Sequence, residues 1–201
     1  MIETLLSDLG NVLLTFDNGL FFRALAGRSR LKAPEIERVA LENIDLAVLF
    51  EKGAISEIDF YRNAKELFAA EVEFGEFFAL YCDVFAVNVS VLDLYRRLRP
   101  KVRTALVSST DVMRWTFIKR RFPELLFFDA YALSFDLGAM KPDPIVYREA
   151  LRLAGGRPEA AVFIDDLAEN VAGAERMGIQ GIVYGPGTDL EAELGRRGLR
   201  A

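Results

Sequence analysis

The chain has 201 residues with a net charge of −5, and 52% of it is hydrophobic, which suits a sizeable buried core and excludes a disordered polar segment. It contains no histidine and a single cysteine, Cys82, which removes Ser-His-Asp and Cys-His hydrolases, most zinc sites and any intramolecular disulfide. Acidic and basic residues are mixed along the chain without a cationic block, which argues against nucleic acid as a partner, and charges interrupt every apolar stretch before it could span a membrane.

Thr4 to Ser7 reads as a short buried strand that ends at Asp8. From about Asn18 to Asn88 the pattern turns helical, with a turn at Lys52-Gly53 and a helix start at Ser56-Glu57-Ile58-Asp59. Ten of the 16 phenylalanines fall between Phe16 and Phe85, enough aromatic surface to give this insertion a small core of its own. Strand signals resume at Arg103 to Val107, Ala130 to Ser134, Ala161 to Ile164 and Gly181 to Tyr184. Asp143 followed by Pro144 starts a helix that stops before Gly155-Gly156, and another runs from about Glu169 to Met177 with Gly178 as its stop. Thr188-Asp189-Leu190-Glu191 has capping-box spacing and predicts a last helix ending near Gly195. Strands and helices thus alternate through the second half, which predicts an α/β fold with a parallel sheet and helices on its faces.

Open sheets of this kind do their chemistry where the strands end. Asp8 closes one apolar run and Asp165-Asp166 closes another, and two buried runs ending in acid suggest one shared cation. Four polar clusters follow strands or precede helices: Asp8-Leu9-Gly10-Asn11, Ser108-Ser109-Thr110-Asp111, Lys141-Pro142-Asp143-Pro144 and Asp165-Asp166. Any one of them is more often a helix cap than a catalyst. Together they supply a carboxylate nucleophile, a hydroxyl with backbone donors, a lysine and acidic ligands for Mg²⁺, the parts that phosphoryl transfer requires.

In these segments, which read LLSDLGNV, ALVSST, GAMKPDP and FIDD, and in Phe50-Glu51-Lys52-Gly53-Ala54-Ile55-Ser56, the chain resembles the haloacid dehalogenase-like (HAD) phosphatases over essentially its whole length. The resemblance implies a Rossmann-like, doubly wound parallel sheet core made of residues 1–17 plus 89–201, with an inserted helical cap over 18–88. It implies a Mg²⁺-dependent phosphatase acting on a small phosphorylated metabolite, cytoplasmic, and a monomer or homodimer. Asp8 would be the nucleophile that forms an aspartyl-phosphate. Ser108, with Ser109 and Asn11, would hold the phosphoryl oxygens, and Lys141 would keep Asp8 ionised and offset charge in the transition state. Mg²⁺ would be held by Asp8, the Gly10 carbonyl and Asp166, with Asp165 either supporting them from behind or bound through water, the order of the two acids staying open by one position. Asn170, one helical turn beyond Asp166, would hydrogen-bond the acid cluster.

The chain departs from the pattern at Gly10, where many HAD phosphatases carry a second aspartate that protonates the leaving oxygen. General acid-base help of that kind is worth about 10²- to 10⁴-fold. The DLGNV-type first motif is similar to that of sugar 1-phosphate phosphatases, and the missing acid favours leaving groups that tolerate negative charge, such as anomeric, phenolic or acyl oxygens. Asp17 and Asp111 are the nearest substitutes in sequence, and Arg23, Glu51 and Lys52 are candidate specificity residues of the cap. Two rival readings remain: a metal-independent 2-haloacid dehalogenase, and a catalytically weak regulatory domain that accepts phosphate on Asp8. The acid pair opposes the first, because carboxylates crowded without a cation resist ionisation, and an enclosing cap opposes the second.

Overall fold

In a computed structural model that describes residues 1–201, five strands form one parallel sheet and two more form a separate antiparallel ribbon. In chain order they are β1 (Thr4–Ser7), β2 (Leu14–Phe16), β3 (Phe85–Val87), β4 (Arg103–Ser108), β5 (Ala130–Leu133), β6 (Ala161–Asp165) and β7 (Gln180–Val183). The sheet runs β5-β4-β1-β6-β7, so β1 sits at its centre and the chain departs to opposite sides of it, which opens a crevice beyond the carboxyl ends of the strands. Ser7 lies opposite Leu106 of β4 and Ile164 of β6, and this register brings Asp8, Ser109 and Asp165 to the same edge.

Every residue of β1 and β6 is buried, as expected of parallel strands covered on both faces. Successive side chains point to opposite faces, so Leu5 packs with Tyr95, Trp115 and Leu194 in one hydrophobic cluster while Leu6 packs with Tyr147, Phe163 and Ala174 in another. Helices Val89–Leu98, Val112–Arg121 and Leu190–Arg196 supply the first face; Pro144–Ala154 and Ala168–Glu175 supply the second. The α/β architecture anticipated from the sequence is the one observed.

Between β2 and β3 lie five helices, Asn18–Ala26, Ala33–Glu42, Ile44–Glu51, Glu57–Leu67 and Phe74–Cys82. Their common core is aromatic: Phe50 stacks on Phe60 with centroids 4.3 Å apart, and Phe77 lies 5.7 Å from Phe21 and 5.8 Å from Tyr81. Ser56 caps the helix it precedes, accepting from the Asp59 N–H at 3.1 Å, and Gly53 takes the left-handed conformation at the turn (φ 65°).

Some details differ from expectation. The ribbon β2–β3 was not anticipated, because three-residue strands carry no readable alternation and Phe16 pairs with Phe85 across the whole insertion. Ser134 begins a one-turn helix, Ser134–Leu137, rather than ending β5, and β7 starts one residue earlier than predicted. The last helix is capped by Asp189, which accepts from the Ala192 N–H at 2.9 Å, whereas the Thr188 hydroxyl accepts from the Gly185 N–H at 3.0 Å and belongs to the preceding turn. No helix is long and apolar enough to cross a membrane.

Phe77 is fully buried within the aromatic cluster. Phe77→Ala is therefore expected to lower stability by about 3–5 kcal/mol, measured by urea denaturation. A loss below about 1 kcal/mol would mean that the five helices are held by other contacts.

Candidate active site

The site is assembled from the loops that leave β1, β4 and β6 and from the turn before helix Pro144–Ala154. The Asp8 N–H donates to the Ile164 carbonyl at 2.8 Å, which prolongs the sheet ladder by one residue and fixes the backbone. Its carboxylate Oδ1 accepts from the Leu9 N–H at 2.6 Å and lies 2.6 Å from Lys141 Nζ. The same ammonium group lies 2.6 Å from Asp165 Oδ2. The other oxygen of Asp165 accepts from the Leu167 N–H at 2.9 Å and from Asn170 Nδ2 at 3.0 Å. Asp165, fully buried, thus has both carboxylate oxygens engaged by the protein.

Asp166 is partly exposed, and its Oδ2 accepts from Asn11 Nδ2 at 2.9 Å. Asp8, Asp165 and Asp166 each offer an oxygen within 4.8 Å of the others. Three carboxylates face one lysine, which leaves an excess of negative charge in a site closed on most sides. Converging oxygen donors of this kind suit a hard divalent cation such as Mg²⁺. Burial pushes the Asp8 carboxyl up to about 6; the charge of Lys141 pulls it down and that of Asp165 pushes it up further. Burial also works against the Lys141 charge, but Asp8 and Asp165 outweigh it and raise the ammonium above its ordinary range. Lys141 therefore stays protonated.

Ser108, the last residue of β4, is buried with no protein partner for its hydroxyl, and the Ser109 hydroxyl accepts from the Lys141 N–H at 3.2 Å. At Gly10 a Cβ would come 3.1 Å from the Phe16 ring and 3.9 Å from Asp8 Oδ2. The ring of Phe16 covers the place from which a side chain at position 10 would reach the nucleophile.

All the residues singled out in the sequence, Asp8, Gly10, Asn11, Ser108, Ser109, Lys141, Asp165, Asp166 and Asn170, thus lie around this strand edge, although Asn11 is bonded to Asp166 rather than free for an anion. The two candidates for the missing acid are otherwise occupied. Asp111 is fully buried, caps helix Val112–Arg121 through the Arg114 N–H at 2.9 Å and accepts from the Tyr81 hydroxyl at 2.8 Å. Asp17 caps helix Asn18–Ala26 and bonds Arg23 at 2.9 Å, which holds its carboxyl below the usual range. Both are the structural caps that a lone aspartate most often is.

Sequence reasoning missed Arg114. It sits among Met113 and Trp115 on a buried stretch, and its three-residue offset from the capping Asp111 was the available signal. Its guanidinium stacks 4.4 Å from the Tyr81 ring centre and donates to Asn18 Oδ1 at 2.7 Å, so a side chain of the sheet-covering helix is held by two residues of the helical insertion. Arg114 and Glu51 both line a cavity beneath Phe16. Arg23 points to solvent with Asp17, and Lys52 is exposed.

Burial raises the Glu51 carboxyl from 4.5 to about 7, against the pull of Arg114. Its ionisation is thus harder in the folded chain than in the unfolded one, so stability falls as pH rises from about 4.5 to about 7 and is level above that. Glu51→Gln should accordingly gain thermal stability over the wild type across this interval, the gap widening with pH. A gap that is constant from pH 4 to pH 8 would contradict the burial of this carboxyl.

Known proteins are similar to this chain over nearly its whole length. A D-ribitol-5-phosphate phosphatase of Bacteroides thetaiotaomicron is 24% identical over 204 residues, covering 96% of this chain and 97% of the relative. A solved HAD family enzyme from the same organism is 25% identical and superposes with a TM-score of 0.84 over 96% of this chain and 98% of its own. A further structure of a HAD family enzyme from that organism, in complex with magnesium and inorganic phosphate, is 23% identical with a TM-score of 0.78, over 96% and 99% of the two chains. Residues 2–178 match the family model described as haloacid dehalogenase-like hydrolase, and the chain belongs to that family.

Proposed function

We propose that the protein is a Mg²⁺-dependent phosphatase that hydrolyses a small phosphorylated metabolite through an aspartyl-phosphate on Asp8. The observation that carries this reading is the approach of the Asp8, Asp165 and Asp166 oxygens to within 4.8 Å of one another beside a buried lysine. Asp8, Asp166 and the Gly10 carbonyl would hold the metal, with Asp165 behind them as the anchor of Lys141. Bound there, Mg²⁺ would offset the charge of the phosphoryl oxygens. The family membership, the phosphatase relative and the neighbour that binds magnesium and phosphate all support the same reading.

In the first step a carboxylate oxygen of Asp8 attacks phosphorus and the ester oxygen departs with its electron pair. Water then attacks the phosphorus of the acyl phosphate, the bond to Asp8 breaks, and inorganic phosphate leaves. The Ser108 hydroxyl and the Ser109 N–H donate to the phosphoryl oxygens, and Lys141 offsets the charge that passes through Asp8. The five helices serve as the cap over residues 18–88, closing the crevice against bulk water.

No side chain at position 10 can protonate the leaving oxygen, so the reaction depends on leaving groups that are stable as anions. Sugar 1-phosphates, to which the DLGNV-type motif points, meet this condition, as do aryl and acyl phosphates; a primary alkyl phosphate such as ribitol 5-phosphate meets it poorly. A metal-independent dehalogenase is disfavoured because it would leave three carboxylates around one lysine with nothing to balance them.

Asp8→Asn is expected to lower turnover of a phosphometabolite panel by at least about 10³-fold, and EDTA to abolish the wild-type activity with recovery on added Mg²⁺. Hydrolysis of a 2-haloacid that survives EDTA would instead establish the dehalogenase. With no carboxylate at position 10 to activate water, the second step is slowed, and phosphorylated Asp8 should accumulate in single-turnover rapid quench. Failure to trap it would mean that another group activates the water.

A further inference from the structure

A cavity of about 400 Å³ lies between the five helices, Phe16 and Arg114, a size suited to a small organic molecule. Its wall is mostly apolar, with the rings of Phe16, Phe22 and Phe60 among thirteen hydrophobic residues out of twenty. Only a few polar groups on that wall have unused hydrogen-bonding capacity, Arg114 and Glu51 among them. Arg114 keeps a buried Nε without a hydrogen bond, 3.9 Å from Asp111 Oδ2, while its Nη2 is bound to Asn18. Glu51 is held in place through its backbone, whose carbonyl accepts from Ser134 Oγ at 2.6 Å, while no protein donor meets its carboxylate. Glu37, at the outer part of the wall, also has an unpaired carboxylate, whereas Asp17 is committed to Gly19 and Arg23, and Asn43 donates to the Val39 carbonyl at 2.8 Å.

The cavity adjoins the reaction centre through Phe16, whose ring lines it and also packs against Gly10, two residues from Asp8. A phosphate held at Asp8 would thus have this ring between it and the cavity. The glycine and the ring depend on each other, since a Cβ at position 10 would press on the ring at 3.1 Å.

We propose that this cavity receives the leaving group, and that the leaving group is a flat, largely apolar body such as an aromatic ring, anchored at its few polar substituents by Glu51 and Arg114. This rests on the phosphatase reading above and selects among the leaving groups that reading allows. A polyol or sugar would bring several hydroxyls against a wall that is mostly apolar and offers few partners, and each unpaired hydroxyl loses its water without replacement. An aryl group buries its faces against the phenylalanines and leaves as a stabilised phenolate, which requires no acid at position 10.

The test compares kcat/KM for 1-naphthyl phosphate, D-ribitol 5-phosphate, glucose 1-phosphate and acetyl phosphate with Mg²⁺. The expected result is a preference of at least about tenfold for 1-naphthyl phosphate over both the polyol and the sugar ester. Ala47→Phe and Leu67→Phe, which fill the cavity from two different helices, should each reduce the ratio of naphthyl to acetyl phosphate turnover by about tenfold or more, with folding verified by circular dichroism. The inference is overturned if ribitol 5-phosphate or glucose 1-phosphate is preferred while acetyl phosphate is hydrolysed, or if a folded cavity-filling variant leaves that ratio unchanged. No hydrolysis of any of the four would instead overturn the phosphatase reading, and this inference with it.

Discussion

One ammonium group, Lys141 Nζ, lies 2.6 Å from carboxylate oxygens of both Asp8 and Asp165. Without it, the central strand and its neighbour would each end in a buried acid facing another buried acid. An uncompensated charge in that position costs several kcal/mol, more than most single side chains contribute to a fold. The lysine thus allows β1 and β6 to end side by side in carboxylates. Its loop also leads into helix Pro144–Ala154, which covers the Leu6 face of the sheet, so the charge balance and the closure of that face depend on the same segment.

From this arrangement follows a division of labour between the adjacent acids. Asp165 is engaged by Lys141, the Leu167 N–H and Asn170, and serves to orient the lysine and the start of helix Ala168–Glu175. Asp166 emerges from the strand end, where its only protein partner is the Asn11 amide. Alternation along an extended backbone makes one acid inward and the next outward. Pairing them in sequence supplies both a buried counter-ion and an accessible carboxylate without any further element.

The sheet and its polar edge were legible in the sequence because both depend on short-range signals. An apolar run of parallel-strand length that ends in Asp or Ser leaves few places for the polar residue except the strand end; four such runs, and a fifth that stops at Gly185, correspond to the five strands. Asp143 and Ser56 were likewise readable as caps from their neighbours alone. What escaped depended on distant partners. The β2–β3 ribbon exists through a pairing across the insertion, and Asp17 and Asp111 look like spare acids until Arg23 and Tyr81 are placed against them. Arg114 offered only its offset from Asp111, and Glu51 could not be told from Arg23 and Lys52, because which of them faces inward is set by packing between helices far apart in the chain.

Arg114 also bears on how rigidly the insertion sits over the reaction centre. It belongs to a helix that covers the sheet, yet its guanidinium stacks on Tyr81 and bonds Asn18, the first residue of the helical insertion. The Tyr81 hydroxyl in turn donates to Asp111 at the start of the same helix. A rigid displacement of the insertion would have to break these three contacts together, and each of them involves an ionisable group in a setting with little water. The floor and the roof of the cavity are therefore coupled through one side chain. Changes that loosen the joint would alter the shape of the cavity as well as the freedom of the helices to move, so Arg114 ties the form of the cavity to the stability of the insertion.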